Sequence, residues 1–535
     1  MTAQAIVSKP TTLPRWTLGL APLAGVAIGA AVGWNASVTA VVFLTICACL
    51  LSWKKPVAVI SGLAFYIPIE RFITVHLSGD AYMISQVSGE IVLMALLLGV
   101  LARRAASGTR FVSTPLDLAL LAFAAACLVS ALVNGVDPKS TAYGIRIVLR
   151  YVLVFYAIAN GGFTRRDMKY IVGAYLGSAA VQIGVGLTQV MTAGAAKEWF
   201  MTTREVTIGG VDFTRGLNVA GAGEGLYTAI FGTMENYNGY GMFLAGAWLV
   251  AFAMTRSGWR PFGPGRMGVL LVLGFVCIVL SFSRSSLLVL IVGLVAVSYL
   301  AGNRKGALAG AFILVAGLGL VIYLGTRYAG QELPVLSNNI LYRWVREFTP
   351  ERLVWREAGN YRLYLLFVIS FRVLSQSPVL GLGPGTFGSA LTLMPGEALY
   401  QKLGMSRDYA TLFAADSNWT TIMAQTGLLG LCCFLFVVFG MAAYSVRALR
   451  RTSDPVLRGL CLAQVGLTAL LVVAGFFGPF FESRHTSFYF WAVSGMVVGL
   501  AASQGMPSGR GTLRRLIKSN ASRHHSVLAG RAGTP

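Results

Sequence analysis

Apolar stretches of about 17 to 25 residues, each long enough to cross a ~30 Å hydrocarbon layer as a helix, recur almost from end to end of this 535-residue chain. They begin near residues 16, 36, 56, 87, 115, 142, 169, 239, 268, 286, 307, 419, 458 and 486, and so predict about fourteen spans. Only 12% of the residues are charged and 56% are hydrophobic, whereas a soluble domain carries roughly 25% charged residues. The apolar excess therefore has to face lipid, and the expected fold class is an all-α integral membrane protein. The first apolar run, from Trp16, leads directly into a second with no small-residue cleavage motif, so the N-terminus is expected to be kept.

A net charge of +23 and a pI near 10.0 would suggest nucleic-acid binding in a soluble chain. Placement along the chain decides otherwise. With the N-terminus assigned to the cytoplasm, alternate loops collect Lys54-Lys55, Arg103-Arg104, Arg165-Arg166, Arg256, Arg260 and Arg266, Arg304-Lys305, the cluster Arg447, Arg450, Arg451 and Arg458, and a basic tail from Arg510. More than half of the 43 basic residues fall on that side, as the positive-inside rule requires. The charge reports topology, and no nucleic-acid partner is expected.

The chain divides into N-terminal helices (1–190), an outer loop (191–238), helices flanking an Arg284 hairpin (239–324), a large, partly helical outer loop (325–418), C-terminal helices (419–503) and a basic cytoplasmic tail (504–535). Trp344, Trp355, Tyr361, Tyr364 and Phe367 punctuate the large loop, and Leu363 to Leu374 reads as an amphipathic helix. All seven cysteines lie inside spans without CxxC spacing, and the four histidines are scattered, so neither disulfides nor a metal centre is expected.

Chemistry-bearing residues cluster on the outer side. Arg284 sits in Ser281-Phe282-Ser283-Arg284-Ser285-Ser286, a polar break between two spans; it is either a hairpin arginine snorkelling to water or a bidentate phosphate ligand. The large loop adds Arg343, Arg346, Arg352, Arg356, Arg362 and Arg372 on the face that otherwise lacks positive charge. Glu347, Glu351 and Glu357 could pair with some of them; an anionic ligand would account for the group. Arg146 and Arg150, four apart and on one helix face, lie inside a span, where they either bind an anion or pair with Glu90 or Asp137. Gly383, Gly385 and Gly388 match GxGxxG formally, but without a strand-turn-helix unit around them they read as a tight turn. Asp416, just before the span at 419, is suited to capping that helix and to chemistry, roles that do not exclude each other.

Ser283-Arg284-Ser285, Arg362 followed by Ser377-Pro378-Val379-Leu380-Gly381-Leu382-Gly383-Pro384-Gly385-Thr386-Phe387, and Asp416 through Gly430 occur in an order that resembles the O-antigen ligase and polymerase superfamily of bacterial envelope glycan assembly. Gly232 through Gly241, with Asn236 and Asn238, is a weaker fourth similarity. The resemblance covers roughly 230 to 440 and implies a GT-C-like membrane glycosyltransferase. Such an enzyme takes glycan from a polyprenyl diphosphate at the periplasmic face of the inner membrane and needs no metal, nucleotide sugar or other cofactor. It further implies that Arg284 and Arg362 stabilise the departing diphosphate and that Asp416 occupies the position where the ligases carry a histidine base. Arg146, Arg150, Arg372, Asn236, Asn238 and Asn418 are candidate substrate contacts. Replacement of the histidine favours a polymerase of lipid-linked repeat units over a ligase, although His485 could compensate; a flippase and a chain-length regulator are candidate partners. The alternative of another class is a lipid-linked oligosaccharide flippase or exporter.

Overall fold

The computed structural model describes residues 15–77, 79–192, 199–200, 204–208, 211–215, 229–234, 236–327, 361–388, 397–406, 410 and 414–506. Arg343, Arg346, Arg352 and Arg356, the three loop glutamates and the basic tail lie outside these residues.

The chain is a helical membrane protein. Its elements are α1 (Arg15–Lys54, broken at Asn35), α2 (Pro56–Val75), α3 (Gly79–Ala106), α4 (Asp117–Val133), α5 (Pro138–Leu149), α6 (Val152–Asn160), α7 (Arg165–Met191), α8 (Tyr237–Arg256), α9 (Pro264–Leu280), α10 (Arg284–Leu300) and α11 (Arg304–Arg327). The late elements are α12 (Tyr361–Leu363 continued through the π-turn Tyr364–Ile369 and Ser370–Gln376), α13 (Glu397–Lys402), α14 (Asn418–Arg451), α15 (Pro455–Ala474) and α16 (Arg484–Ser503). Every expected apolar run is helical. Eight of the described helices are long and apolar enough to cross a membrane alone, α5 and α6 form one further candidate bent by 50°, and α4, α9 and α10 are shorter apolar helices.

The interior is built from α8, α15 and α16, which pack against one another and against α6, α7 and α10. Phe243, Leu249, Leu467, Phe490 and Trp491 in these helices are almost fully buried, whereas α11 presents Leu308, Phe312 and Val315 outward, as a lipid-facing helix must. Polar links tie the helices of the bundle at a few points. Gln182 of α7 donates from Nε2 to Thr233 Oγ1 and accepts at Oε1 from the Thr233 amide, and Gln189 accepts from the Phe231 and Gly232 amides. With the bond that Thr233 donates to the Pro68 carbonyl, they seat residues 231–233 between α7 and α2.

The helix ends separate by chemistry. At one end, Arg103 donates to the Trp53 carbonyl, Arg104 to Asn160, and Arg165 pairs with Asp454. The opposite end gathers the starts of α8, α10, α14 and α16, the link between α15 and α16, and the buried carboxylates Glu70 and Glu482.

Two local features depart from the plain helical reading. β1 (Arg204–Ile208) and β2 (Val211–Arg215) pair antiparallel with Ile208 opposite Val211, a hairpin inside the segment read only as a loop. Gly209-Gly210 between two alternating runs is its sequence signal. The second is α14, which breaks at Gly427, where φ is +64° and ψ −168°.

Candidate active site

The break in α14 is filled by the glycine-rich segment that precedes it. Leu382 and Gly383 donate to the carbonyls of Ala424 and Gln425, Gly385 donates to Gln425 Oε1, and Leu428 donates to the Pro378 carbonyl. Gly381, Gly383, Gly385 and Gly388 all adopt positive φ. Their amides are therefore committed to the protein, as the tight-turn reading expects, and do not form an open phosphate cradle. The strap also docks on α5, because Gly144 lies directly against Pro384 and Gly385, where a Cβ would collide with backbone.

The half-helix 418–426 ahead of the break points its N-terminus at the end of the bundle that holds Glu70 and Glu482, where the helix dipole places partial positive charge. Its N-cap is Ser417, whose side chain accepts from the Thr420 amide. The structure thus corrects the capping reading of Asp416: Ser417, extended at φ −148°, supplies the acceptor, which leaves the Asp416 carboxylate to other partners. Those partners come from α12. Arg362 Nη2 lies 3.6 Å from Asp416 Oδ2, and Tyr361 hydrogen-bonds to the same carboxylate. The guanidinium stacks over the Tyr361 ring at 4.6 Å, and its Nε is buried without a hydrogen-bond partner among the described residues. Burial pushes the Asp416 pKa above the ordinary carboxylate range, with Arg362 and Tyr361 opposing the rise.

Asn418, fully buried, ties this pair to the link between α15 and α16. Its Nδ2 donates to Glu482 Oε1 at 3.2 Å, its Oδ1 accepts from the Phe481 amide at 2.9 Å, and its own amide donates to the Gly475 carbonyl. Burial raises the Glu482 pKa to about 7. From the Glu482 carbonyl the network passes to Arg150 Nη2 at 2.6 Å. His485, at the start of α16, packs against Gly239 of α8, where a Cβ would lie 2.7 Å from Nε2.

Arg284 opens α10 two residues after Phe282, whose φ of +56° is the only positive value for a non-glycine among the described residues. Such a conformation costs of order 1–3 kcal/mol and persists where its surroundings impose it. Ser283 caps α10 by accepting from the Ser286 amide and donates to Asn238 Oδ1 at 3.0 Å. Asn236 caps α8 by accepting from Gly239. Gly241 permits this approach, since a Cβ there would lie 2.6 Å from Ser286 Oγ. Asn236 and Asn238 accordingly position the starts of α8 and α10.

Two of the anticipated ligands are engaged elsewhere. Arg146 forms a bidentate pair with Glu90, one of the two partners expected for it; the other, Asp137, instead caps α5. Arg372 Nη1 donates to the Leu403 carbonyl at 2.6 Å and to Tyr364 Oη, so it anchors the 397–406 segment beneath α12. Arg150 also lies 3.7 Å from Glu90. Absent from the sequence expectations are Glu70, Arg71, Gln86 and Arg484: Arg484 pairs with Glu70 and donates to Gln86 Oε1 at 3.2 Å, and Arg71 donates to Tyr82 Oη. Charged residues inside the apolar run Pro56–Val75 were the available signal.

Fold and site together define a multi-pass helical membrane protein with an arginine-carboxylate centre at one mouth of the bundle. Residues 269–435, which contain Arg284, Arg362, the glycine strap and Asp416, match the family model Wzy_C, O-antigen ligase. The similarity over this segment supports the O-antigen ligase and polymerase superfamily and an enzyme of ligase or polymerase type in envelope polysaccharide synthesis. No curated protein matches the chain.

Proposed function

We propose that the chain is an inverting, metal-independent polysaccharide polymerase. It joins polyprenyl-diphosphate-linked oligosaccharide units at the periplasmic face of a bacterial inner membrane, with both termini cytoplasmic. The observation that carries this reading is the Arg362–Asp416 pair at the N-terminus of the half-helix 418–426, a cation and a proton acceptor within 3.6 Å of each other.

In the proposed reaction the acceptor hydroxyl gives its proton to Asp416 as its oxygen attacks the anomeric carbon of the donor. The bond from that carbon to the diphosphate oxygen breaks with its electron pair, and lipid diphosphate departs. Arg362, Arg284 and the helix N-termini supply positive potential where charge accumulates on the leaving oxygens. A partly buried carboxylate with a raised pKa is a stronger base than a solvated one, which suits proton abstraction from a sugar hydroxyl. Ligation to a different lipid or glycan acceptor is the second reading, favoured by the description of the matched family. A carboxylate at position 416, where the ligases resembled by this chain carry histidine, favours polymerisation.

The test compares glycan chain length in cells expressing Arg284→Ala, Arg362→Ala or Asp416→Asn at equal protein levels. Loss of long glycan in all three supports the assignment. Wild-type chain length in the two arginine variants removes the diphosphate roles.

A further inference from the structure

Asp416 stands one residue ahead of the Ser417 cap, outside the hydrogen-bond ladder of its half-helix. What fixes residues 417 and 418 therefore fixes where its carboxylate lies. The backbone amide of Asn418 donates to the Gly475 carbonyl, and Trp419 Nε1 donates to the Val472 carbonyl at 3.1 Å. The Asn418 side chain grips two successive residues of the link between α15 and α16: Oδ1 accepts from the Phe481 amide and Nδ2 donates to Glu482 Oε1. A carboxamide can do both because it carries an acceptor and a donor group. We propose that Glu482 is a positioning residue for the reaction, which through Asn418 holds Asp416 in place against Arg362. The inference rests on the reading of Asp416 as the base, and it makes Asn418 a support of the site from behind in place of a substrate contact.

Glu482 is itself braced. Its carbonyl accepts from Arg150 Nη2 at 2.6 Å, and the Arg150 guanidinium also acts on its carboxylate. Arg150 lies 3.7 Å from Glu90 as well, and Glu90 is held by Arg146, so this arginine is shared between two carboxylates. The neighbouring charge of the link, Arg484, turns to Glu70 of α2, and Ser483 meets His485. On the far side, Asp416 faces Arg362 and Tyr361 of α12. A separate tie, the hydrogen bond of the Ser370 and Thr420 hydroxyls at 3.2 Å, joins the half-helix to α12 directly and is the rival means of holding the pair. Position matters here because displacing a catalytic group by about 1 Å can cost about 100-fold in rate.

The experiment measures initial rates of the purified full-length protein in nanodiscs, on a lipid-diphosphate-linked repeat unit, normalised to folded protein and repeated across pH. Glu482→Leu removes the acceptor of the Asn418 Nδ2 bond, whereas Glu482→Gln keeps an oxygen for it and removes only the charge. The proposal expects Glu482→Leu to lower kcat by about tenfold or more. It also expects the acid limb to rise, because Asp416 moves away from the cation that opposes its raised pKa. Loss of the Glu482 charge alone would move the limb the other way, so Glu482→Gln should keep the wild-type kcat without raising the limb. A merely structural role would lower the yield of folded protein and leave the limb in place. Asn418→Asp, which sets a carboxylate against Glu482, should also lose turnover. Adding Glu482→Gln should restore it, since the new carboxamide can donate where the carboxylate only accepts; this pair decides the matter if Glu482→Leu does not fold.

Wild-type kcat and limb in Glu482→Leu, or a double variant no faster than Asn418→Asp, overturns the positioning role and leaves the α12 tie to hold the pair. Asp416→Asn, run in the same series, separates that failure from failure of the base: its inactivity leaves the proposed function standing, and its full turnover overturns the base and this inference together. Absence of product from folded wild-type protein likewise overturns both.

Discussion

Asp416 holds its proton more tightly than a solvated carboxylate because burial outweighs the pull of Arg362 and Tyr361. If it is the base, the acid limb of the pH–rate profile lies above the ordinary carboxylate range, and Arg362→Gln moves it higher still by removing the opposing cation; an unmoved limb would assign the limb to another group. Asp416→Asn should lower turnover by about 100-fold or more, as loss of a general base does, with the melting temperature unchanged, because Ser417 carries the cap. Glu482 titrates near 7 against an ordinary value of 4.5. Between those values the folded protein keeps a proton that the unfolded chain releases, so stability falls as pH rises through that window. Melting curves at pH 5 and pH 8 should show this loss in the wild type and a smaller one in Glu482→Gln. Asp416 and Arg362 were legible because each belongs to an ordered motif. Glu70, Arg71 and Arg484 belong to segments far apart in sequence and became neighbours only when α2 and α16 met.

At the scale of elements, long apolar runs disclosed the helices because lipid leaves a backbone few other ways to satisfy its hydrogen bonds. The break in α14 was hidden by the same pattern, since Thr426-Gly427-Leu428 reads through as helix. It depends on the strap at 377–388, whose carbonyls at Pro378 and Val379 take over the amides of Leu428 and Leu429. Gly427 combines positive φ with direct contact to the Val379 carbonyl. Gly427→Ala should therefore cost about 1–2 kcal/mol from the left-handed backbone and more from overpacking, with loss of activity as the half-helix shifts. Gly265→Ala, where a Cβ meets nothing within 4 Å, should melt like the wild type. Equal melting temperatures for the two variants would show that the strap does not hold the break.

Over the whole molecule, the charge pattern separates a basic end from an end where helix N-termini, arginines and buried carboxylates converge, and the proposed topology puts the second end in the periplasm. In a background without native cysteines, an impermeant maleimide applied to cells with a permeabilised outer membrane should label Lys139→Cys, and should label Ser107→Cys only after lysis; both positions are exposed, at opposite ends. The reverse pattern would invert the protein and move the site to the cytoplasm. Polymerisation itself is tested most directly by supplying the purified protein, in nanodiscs, with a lipid-diphosphate-linked repeat unit as its only substrate and resolving the products on a gel. The account predicts a ladder of growing glycans from the wild type and none from Asp416→Asn. Intact substrate with folded wild-type protein, or transfer that begins only when a different acceptor is added, would contradict it.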